Sequence, residues 1–210
     1  MNCGKLEIGY VHCGNGHYIC DSCHGEKSFN RILALIALAE GTNPLLIGEK
    51  IVNEASIPML GCEHAWVAAG SFMAAIKNNG KINVTQEQII EALNRTRKQA
   101  IGAYCGLTGV CGIALGVGAG YSVILGAACP KNEETSATMH VVSRVIEAIA
   151  NETGPCCCKN FLYTALKVAC DYSEKYLQIQ LPSTYDIVCC DSNRHPHGCR
   201  EDKCRYYFKK

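Results

Sequence analysis

The chain has 210 residues, a formal net charge of +1 at pH 7 and an isoelectric point near 7.5. This length suits one domain, or one domain with a small appendage. The balanced charge, with no basic block before Lys209 and Lys210, argues against a nucleic-acid-binding surface. Because Met1 is followed by polar residues and cysteines, we expect no signal peptide and a cytoplasmic location.

Sixteen cysteines are the unusual feature of the composition. In a short secreted protein they would indicate a disulfide framework, but this chain is long and has an apolar core of its own. A single cysteine in a helix is typically a small buried hydrophobic residue, and Cys170 fits that pattern. Clustered cysteines in a reducing compartment are more often ligands of zinc or iron–sulfur clusters, or redox thiols.

The first cysteine cluster predicts a zinc-finger-like domain over residues 1–27. Cys20 and Cys23 have the spacing of a zinc knuckle, and tetrahedral zinc takes four thiolate or imidazole ligands. The predicted ligands are Cys3, Cys13, Cys20 and Cys23. His17 is an alternative to Cys3 or Cys13. We expect this zinc to be structural; the alternative is a flexible segment with scattered thiols.

Residues 28–181 are predicted to form an α-helical domain, and residues 182–210 an irregular cysteine-rich tail. Ser28 and Thr85 are typical N-caps, and Pro44 suits the first turn of a helix. Short connections favour antiparallel neighbours in a helical bundle. The seven predicted helices span about 28–39, 44–55, 62–79, 85–100, 108–128, 133–150 and 156–177.

An uncharged run from Gly102 to Pro130 holds six glycines between Gly109 and Gly126. It is long enough to span a bilayer, yet its flanks lack basic or aromatic anchors and its neighbours are amphipathic. We therefore predict the buried central helix of the bundle and no membrane association. Three glycines stand at the spacing that lets helix backbones touch: Gly112, Gly116 and Gly120.

The predicted helix directions gather several cysteines at one end of the bundle. Since neighbouring helices run antiparallel, the third, fifth and seventh helices begin at that end. Their N-termini provide free N–H groups and a positive field, which favour thiolates and anionic groups. Cys129 is excluded because the helix places it about 27 Å from Cys111. The residues brought together are Cys62, Glu63, His64, Cys105, Cys111, Cys156, Cys157 and Cys158.

These residues predict an iron–sulfur cluster for electron or sulfur transfer, bound by Cys105, Cys111, Cys157 and Cys158. Consecutive helical residues point about 100° apart, so Cys156, Cys157 and Cys158 cannot all ligate one ion; Cys157 is favoured with one of its neighbours.

Two other functions stay open at this stage. The first is an enzyme in which Cys105 or Cys157 is the nucleophile, His64 the base and Glu63 the residue that orients it. The second is a zinc-stabilised interaction module without catalysis. A homo-oligomer that buries part of the glycine-rich helix is compatible with the sequence, which does not require one.

The tail provides a third group of candidate metal ligands, Cys190, Cys199 and Cys204. Together with Cys189, His195 and His197 they either form a second metal site or complete the N-terminal one. The spacing of Cys199 and Cys204 is a weak signal by itself.

Five segments, in this order, resemble DUF5714, a prokaryotic family of unknown function: CGNGHYICDSCH, GCEHAWVAA, CGLTGVCGIALGVG, GPCCCKN and CRYYF. The resemblance extends over nearly the whole chain. It implies a cytosolic, anaerobic and metal-linked setting, with a radical-SAM or methyltransferase protein as partner, and it supplies no reaction.

The resemblance carries over to individual positions, with two departures. The family often opens with a Cys-x2-Cys pair, whereas here only Cys3 precedes Gly4 and Lys5, and Cys62 stands where the family has proline. The matching positions are Cys13, His17, Cys20, Cys23, Glu63, His64, Cys105, Gly109, Cys111, Gly154, Pro155, Cys157 and Cys158.

Overall fold

The protein is described by a computed structural model that covers residues 21–102, 104–152, 154, 156–184 and 186–208, with the backbone alone for 21–24. The fold is mainly α-helical, as predicted. The helices of the described residues are α1 Asp21–Ala37, α2 Pro44–Glu54, α3 Glu63–Asn79, α4 Gln86–Gln99, α5 Tyr104–Thr108, α6 Gly112–Leu125, α7 Asn132–Ala150 and α8 Cys158–Leu177.

The predicted N-terminal zinc site falls almost entirely outside these ranges. Its candidate ligands Cys3, Cys13, His17 and Cys20 are not among the described residues, and Cys23 is described by its backbone alone, within α1. Helix α1 begins at Asp21, earlier than the predicted Ser28. An acidic residue in the first turn interacts favourably with the positive end of a helix.

The predicted helix over residues 108–128 is wrong in its boundaries, because this stretch begins with a turn between two helices. Gly109 has φ +75°, and Cys111 is extended as the N-cap of α6. A left-handed residue interrupts the helical hydrogen-bond pattern, and glycine adopts that conformation without steric cost. The predicted capping box is present: the Thr85 hydroxyl accepts from the Gln88 N–H, and the Gln88 side chain accepts from the Thr85 N–H.

Helix α6 packs against α3, α4, α7 and α8. A Cβ atom at Gly116 would lie inside the van der Waals contact distance of the Ala65 carbonyl oxygen on α3. One turn later, Tyr121 stacks on Phe72 with ring centroids 4.8 Å apart, and its hydroxyl donates to the Ala169 carbonyl on α8 at 2.6 Å. Close backbone approach and this buried hydrogen bond fix α6 between α3 and α8. Among the described helices, none has the length and apolarity needed to cross a membrane.

His64 lies at the start of α3 and is fully buried. Its Nδ1 is 3.2 Å from the Gly61 carbonyl oxygen, and its Nε2 has no hydrogen-bond partner in the described structure. Burial lowers the pKa of His64 from 6.5 to about 4, and the nearby positive charge of Lys159 adds to this effect. The imidazole is therefore neutral at pH 7.

The C-terminal segment packs onto the helices. It contains two short 3-10 helices, Ser192–Arg194 and Glu201–Lys203. The Cys189 N–H donates to the Tyr206 carbonyl at 2.6 Å, and the ring of Tyr206 lies edge-on to Tyr163 of α8. This segment therefore contributes to the core.

The close approach of α3 and α6 predicts that Gly116→Ala is destabilising. The added methyl group must displace the α3 backbone, so we expect the free energy of unfolding to fall by about 1–3 kcal/mol. Denaturant unfolding followed by circular dichroism measures this change. Gly106→Ala in α5 is the control, because a Cβ atom there meets no atom within 4 Å. Equal stability of the two variants would contradict the prediction.

Burial of His64 predicts that acid destabilises the protein. Between pH 6.5 and about 4 the unfolded chain binds a proton that folded His64 does not, so stability falls as the pH is lowered through this window. The expected loss is about 3 kcal/mol. His64→Gln should remove this part of the pH dependence of unfolding, whereas the same substitution at exposed His140 should not. Identical pH profiles for wild type and His64→Gln would contradict the assignment.

Candidate functional site

Five cysteines line one cavity of about 380 Å³ where α3, α6 and α8 begin. We call it the cysteine cavity. Its floor and rim include Gly61, Gly102, Gly106 and Gly112, and His197 reaches it from the C-terminal segment. The lining thiols are Cys62, Cys105, Cys111, Cys156 and Cys158.

Four of the five thiols lie in or directly before a helix, and Cys156 lies two residues before α8. Cys62 and Cys111 are the N-caps of α3 and α6, and Cys158 is the first residue of α8. Cys105 belongs to the short helix α5, and the left-handed turn at Gly109 connects it to α6. An adjoining cavity of about 250 Å³ is also lined by Cys105, Cys111 and Cys156. These three thiols therefore have open space on two sides.

The thiols interact with each other. The Cys156 thiol contacts those of Cys105 and Cys158, and charge on Cys105 or Cys156 would repel charge on Cys111. As they stand, no three His, Cys, Asp or Glu side chains within the described ranges are arranged to hold one metal ion. Coordination of one metal ion by three or more of these thiols therefore requires their sulfur atoms to move closer together.

The cavity raises the pKa of three of its thiols, Cys105, Cys111 and Cys156, and so favours their protonated form. Burial raises the pKa of Cys111 to about 11, although the N–H groups of Ile113 and Ala114 oppose the rise. Burial also raises the pKa of Cys105, and the contact with Cys158 is the main reason why the pKa of Cys156 is raised. Neutral thiols are weak nucleophiles, whereas a bound metal ion deprotonates its cysteine ligands.

Cys157 does not reach the cysteine cavity. The predicted set paired Cys157 with Cys105, Cys111 and Cys158, but the structure places Cys156 there in its stead. The backbone of Cys157 is extended, with φ −134° and ψ 101°. Successive side chains of an extended segment point to opposite sides, so Cys157 faces away from Cys156.

Cys157 instead lines a separate cavity of about 20 Å³ between α8 and the C-terminal segment, which we call the tail cavity. Of the predicted tail ligands, Cys199 and Cys204 line the tail cavity, whereas Cys190 is exposed and does not. Cys189 lines it instead; the sequence grouped this residue with the tail cysteines but did not place it among the three candidate ligands. Its position follows from the pairing of its backbone with Tyr206 and Tyr207, for which the sequence carries no signal.

The two histidines of the C-terminal segment line different cavities. His195 lines the tail cavity and His197 the cysteine cavity, with ring centroids 6.1 Å apart. The predicted catalytic pair lies elsewhere: neither Glu63 nor His64 lines either cavity, and His64 is buried behind Gly61. Cys129, excluded from the predicted site, is exposed.

A family model described as a family of unknown function, DUF5714, matches residues 32–207. This range contains both cavities and begins after the predicted zinc ligands of residues 1–27. Searches of curated proteins and of solved structures found no match. Because the family model covers most of the chain, this protein belongs to DUF5714.

Proposed function

We propose that the cysteine cavity binds an iron–sulfur cluster through Cys105, Cys111, Cys156 and Cys158, and that the protein transfers electrons or sulfur to a partner enzyme. The observation that carries the proposal is that thiols from three separate segments of the chain line one cavity. Iron–sulfur clusters take four cysteine ligands, and thiolates are the preferred ligands of such soft centres. Cys62 lines the same cavity as a fifth thiol.

Size and surroundings support a group with several atoms. The cavity of about 380 Å³ exceeds the space that one ion needs, and a Cβ atom at Gly102 or Gly106, which line it, would meet no atom within 4 Å. A cluster held there would accept and release single electrons. The chain itself would supply the thiolates and place the positive N-terminal ends of α3, α6 and α8 beside them. Helix α6 would hold α3 and α8 in this arrangement.

Exposed apolar side chains beside the cysteine cavity support a protein partner. Helix α5 buries none of its residues, and Ile101 and Leu107 are 54% and 76% exposed. Tyr104 and Val110 extend the same exposed stretch. Contiguous apolar surface of this kind is typical of interaction sites. We infer that the partner, a radical-SAM or methyl-transfer enzyme, docks over α5, next to Cys105.

The alternative of a cysteine nucleophile has less support. It needs a thiolate at neutral pH and a base in contact with it. Burial raises the pKa of Cys105, and buried His64 interacts with the Gly61 carbonyl. A zinc-stabilised interaction module without redox chemistry remains the competing proposal, and metal analysis separates the two.

Residues 1–27 are proposed to bind one structural zinc through Cys3, Cys13, Cys20 and Cys23, with His17 as an alternative ligand. The knuckle spacing of Cys20 and Cys23, with two further cysteines and His17 in the same segment, supports this assignment. Zinc is therefore expected in the protein in addition to iron.

Metal analysis of anaerobically prepared protein tests the proposal. We expect iron and acid-labile sulfide, with a visible absorption band, in addition to zinc. Cys105→Ser and Cys156→Ser should lose most of the iron, since each removes a proposed ligand. Cys157→Ser should retain the iron, because the Cys157 thiol lines the tail cavity and not the cysteine cavity. Iron retained in Cys156→Ser, or a colourless wild-type protein with zinc alone, would contradict the cluster.

Alkylation of metal-free protein separates thiols by their ionisation. The pKa of Cys111 is about 11, so its labelling by iodoacetamide should be slow at pH 7 and should accelerate as the pH approaches 11. Exposed Cys129 and Cys190 should react first. Peptide mass spectrometry measures each site. Rapid labelling of Cys105 at pH 7 would contradict a protonated site and favour the nucleophile.

A further inference from the structure

Four cysteines from distant parts of the chain meet at the tail cavity. Cys157 precedes α8, and the other three belong to the C-terminal segment. The cavity of about 20 Å³ is the size of one small ion or water molecule, far below that of the cysteine cavity. Its lining thiols are Cys157, Cys189, Cys199 and Cys204.

Each of these sulfur atoms contacts an N–H group. Three contacts come from the backbone two residues further on: Lys159 for Cys157, Asp191 for Cys189, and Glu201 for Cys199, the last at 3.3 Å. The fourth comes from the Asn160 side-chain amide, 3.3 Å from the sulfur of Cys204. N–H donors around sulfur stabilise its negative charge, and such contacts support thiolate ligands of metals.

Two buried cations border the tail cavity. The side chains of Lys159 and Arg200 are 7% and 5% exposed. Lys159 pairs with Asp191 at 3.1 Å and Arg200 with Glu152 at 3.4 Å, yet the Nε and Nη1 atoms of Arg200 are buried without a partner. Both cations have a carboxylate partner, and the two unpaired N–H groups of Arg200 would in addition favour negative charge on the sulfur atoms that line the same cavity.

We propose that Cys157, Cys189, Cys199 and Cys204 bind one zinc ion that fastens the C-terminal segment to α8. Four thiols lose their protons to solvent and form four Zn–S bonds, so the centre carries two negative charges, next to Lys159 and Arg200. No oxidation or reduction takes place. A closed tetrahedral site with four cysteines is the typical structural zinc centre. The sulfur atoms must move inward on binding, because they do not converge on one point in the described structure.

Zinc stoichiometry in the full chain tests this site. Cys157→Ser and Cys204→Ser should each lose one zinc per chain, measured by mass spectrometry after dialysis. Cys190→Ser is the matched control, because Cys190 adjoins Cys189 but is exposed. The ligands proposed for residues 1–27 stay intact in every variant. Cys157→Ser changes no residue of the C-terminal segment, so its loss of zinc distinguishes the tail cavity from a tail that completes the N-terminal site. Unchanged zinc in Cys157→Ser and Cys204→Ser, or an equal loss in Cys190→Ser, would overturn the proposal.

Alkylation of the wild-type protein keeps the test independent of how the variants fold. In zinc-loaded protein the four ligands should be protected from iodoacetamide while Cys190 is labelled, and a chelator should remove the protection.

Trypsin should also cut after exposed Arg194 severalfold faster once zinc is removed. Equal labelling of Cys189 and Cys190 in zinc-loaded protein would overturn the assignment.

Discussion

The close contact between α3 and α6 is the constraint on which the cysteine cavity depends. Gly116 lets the α6 backbone lie against the Ala65 carbonyl, and Tyr121 then reaches both Phe72 and the Ala169 carbonyl of α8. With three helices held at this spacing, their N-termini lie side by side. Cys62 and Cys111, the two N-caps, face one cavity for that reason. A bulkier residue in α6 would separate the helices and move the thiols apart.

The segment from Cys156 to Cys158 divides the cysteines between two environments. Its central residue is extended, so adjacent thiols leave the backbone in opposite directions. Cys156 and Cys158 join the larger cavity, and Cys157 joins the smaller one. The proposed redox centre and the proposed structural zinc are thereby connected by one short stretch of backbone. Metal binding in the tail cavity would also fix the orientation of Cys156 and Cys158.

In the cysteine cavity, the same thiols are partly shielded from solvent and border open space. Burial raises the pKa of Cys105 and Cys111, so without a metal these two thiols are protonated at neutral pH and react slowly. The same thiols line open space, and exposed Leu107 and Ile101 lie near it. Slowly reacting thiols and neighbouring exposed apolar side chains are features that the proposed transfer to a docked protein would use. His64 contributes to stability at neutral pH through its burial.

The sequence by itself determined the helical class, the capping box at Thr85 and the family, because capping, periodicity and motif spacing are local signals. Chain direction in an antiparallel bundle also predicted which helices begin near Cys105 and Cys111. Tertiary structure decided that Cys156 and not Cys157 faces that cavity. The reason is the extended backbone of Cys157 just before α8, which turns the two side chains to opposite sides. It also decided the role of Cys189, because a backbone pairing with Tyr206 and Tyr207 between distant residues leaves no periodic pattern.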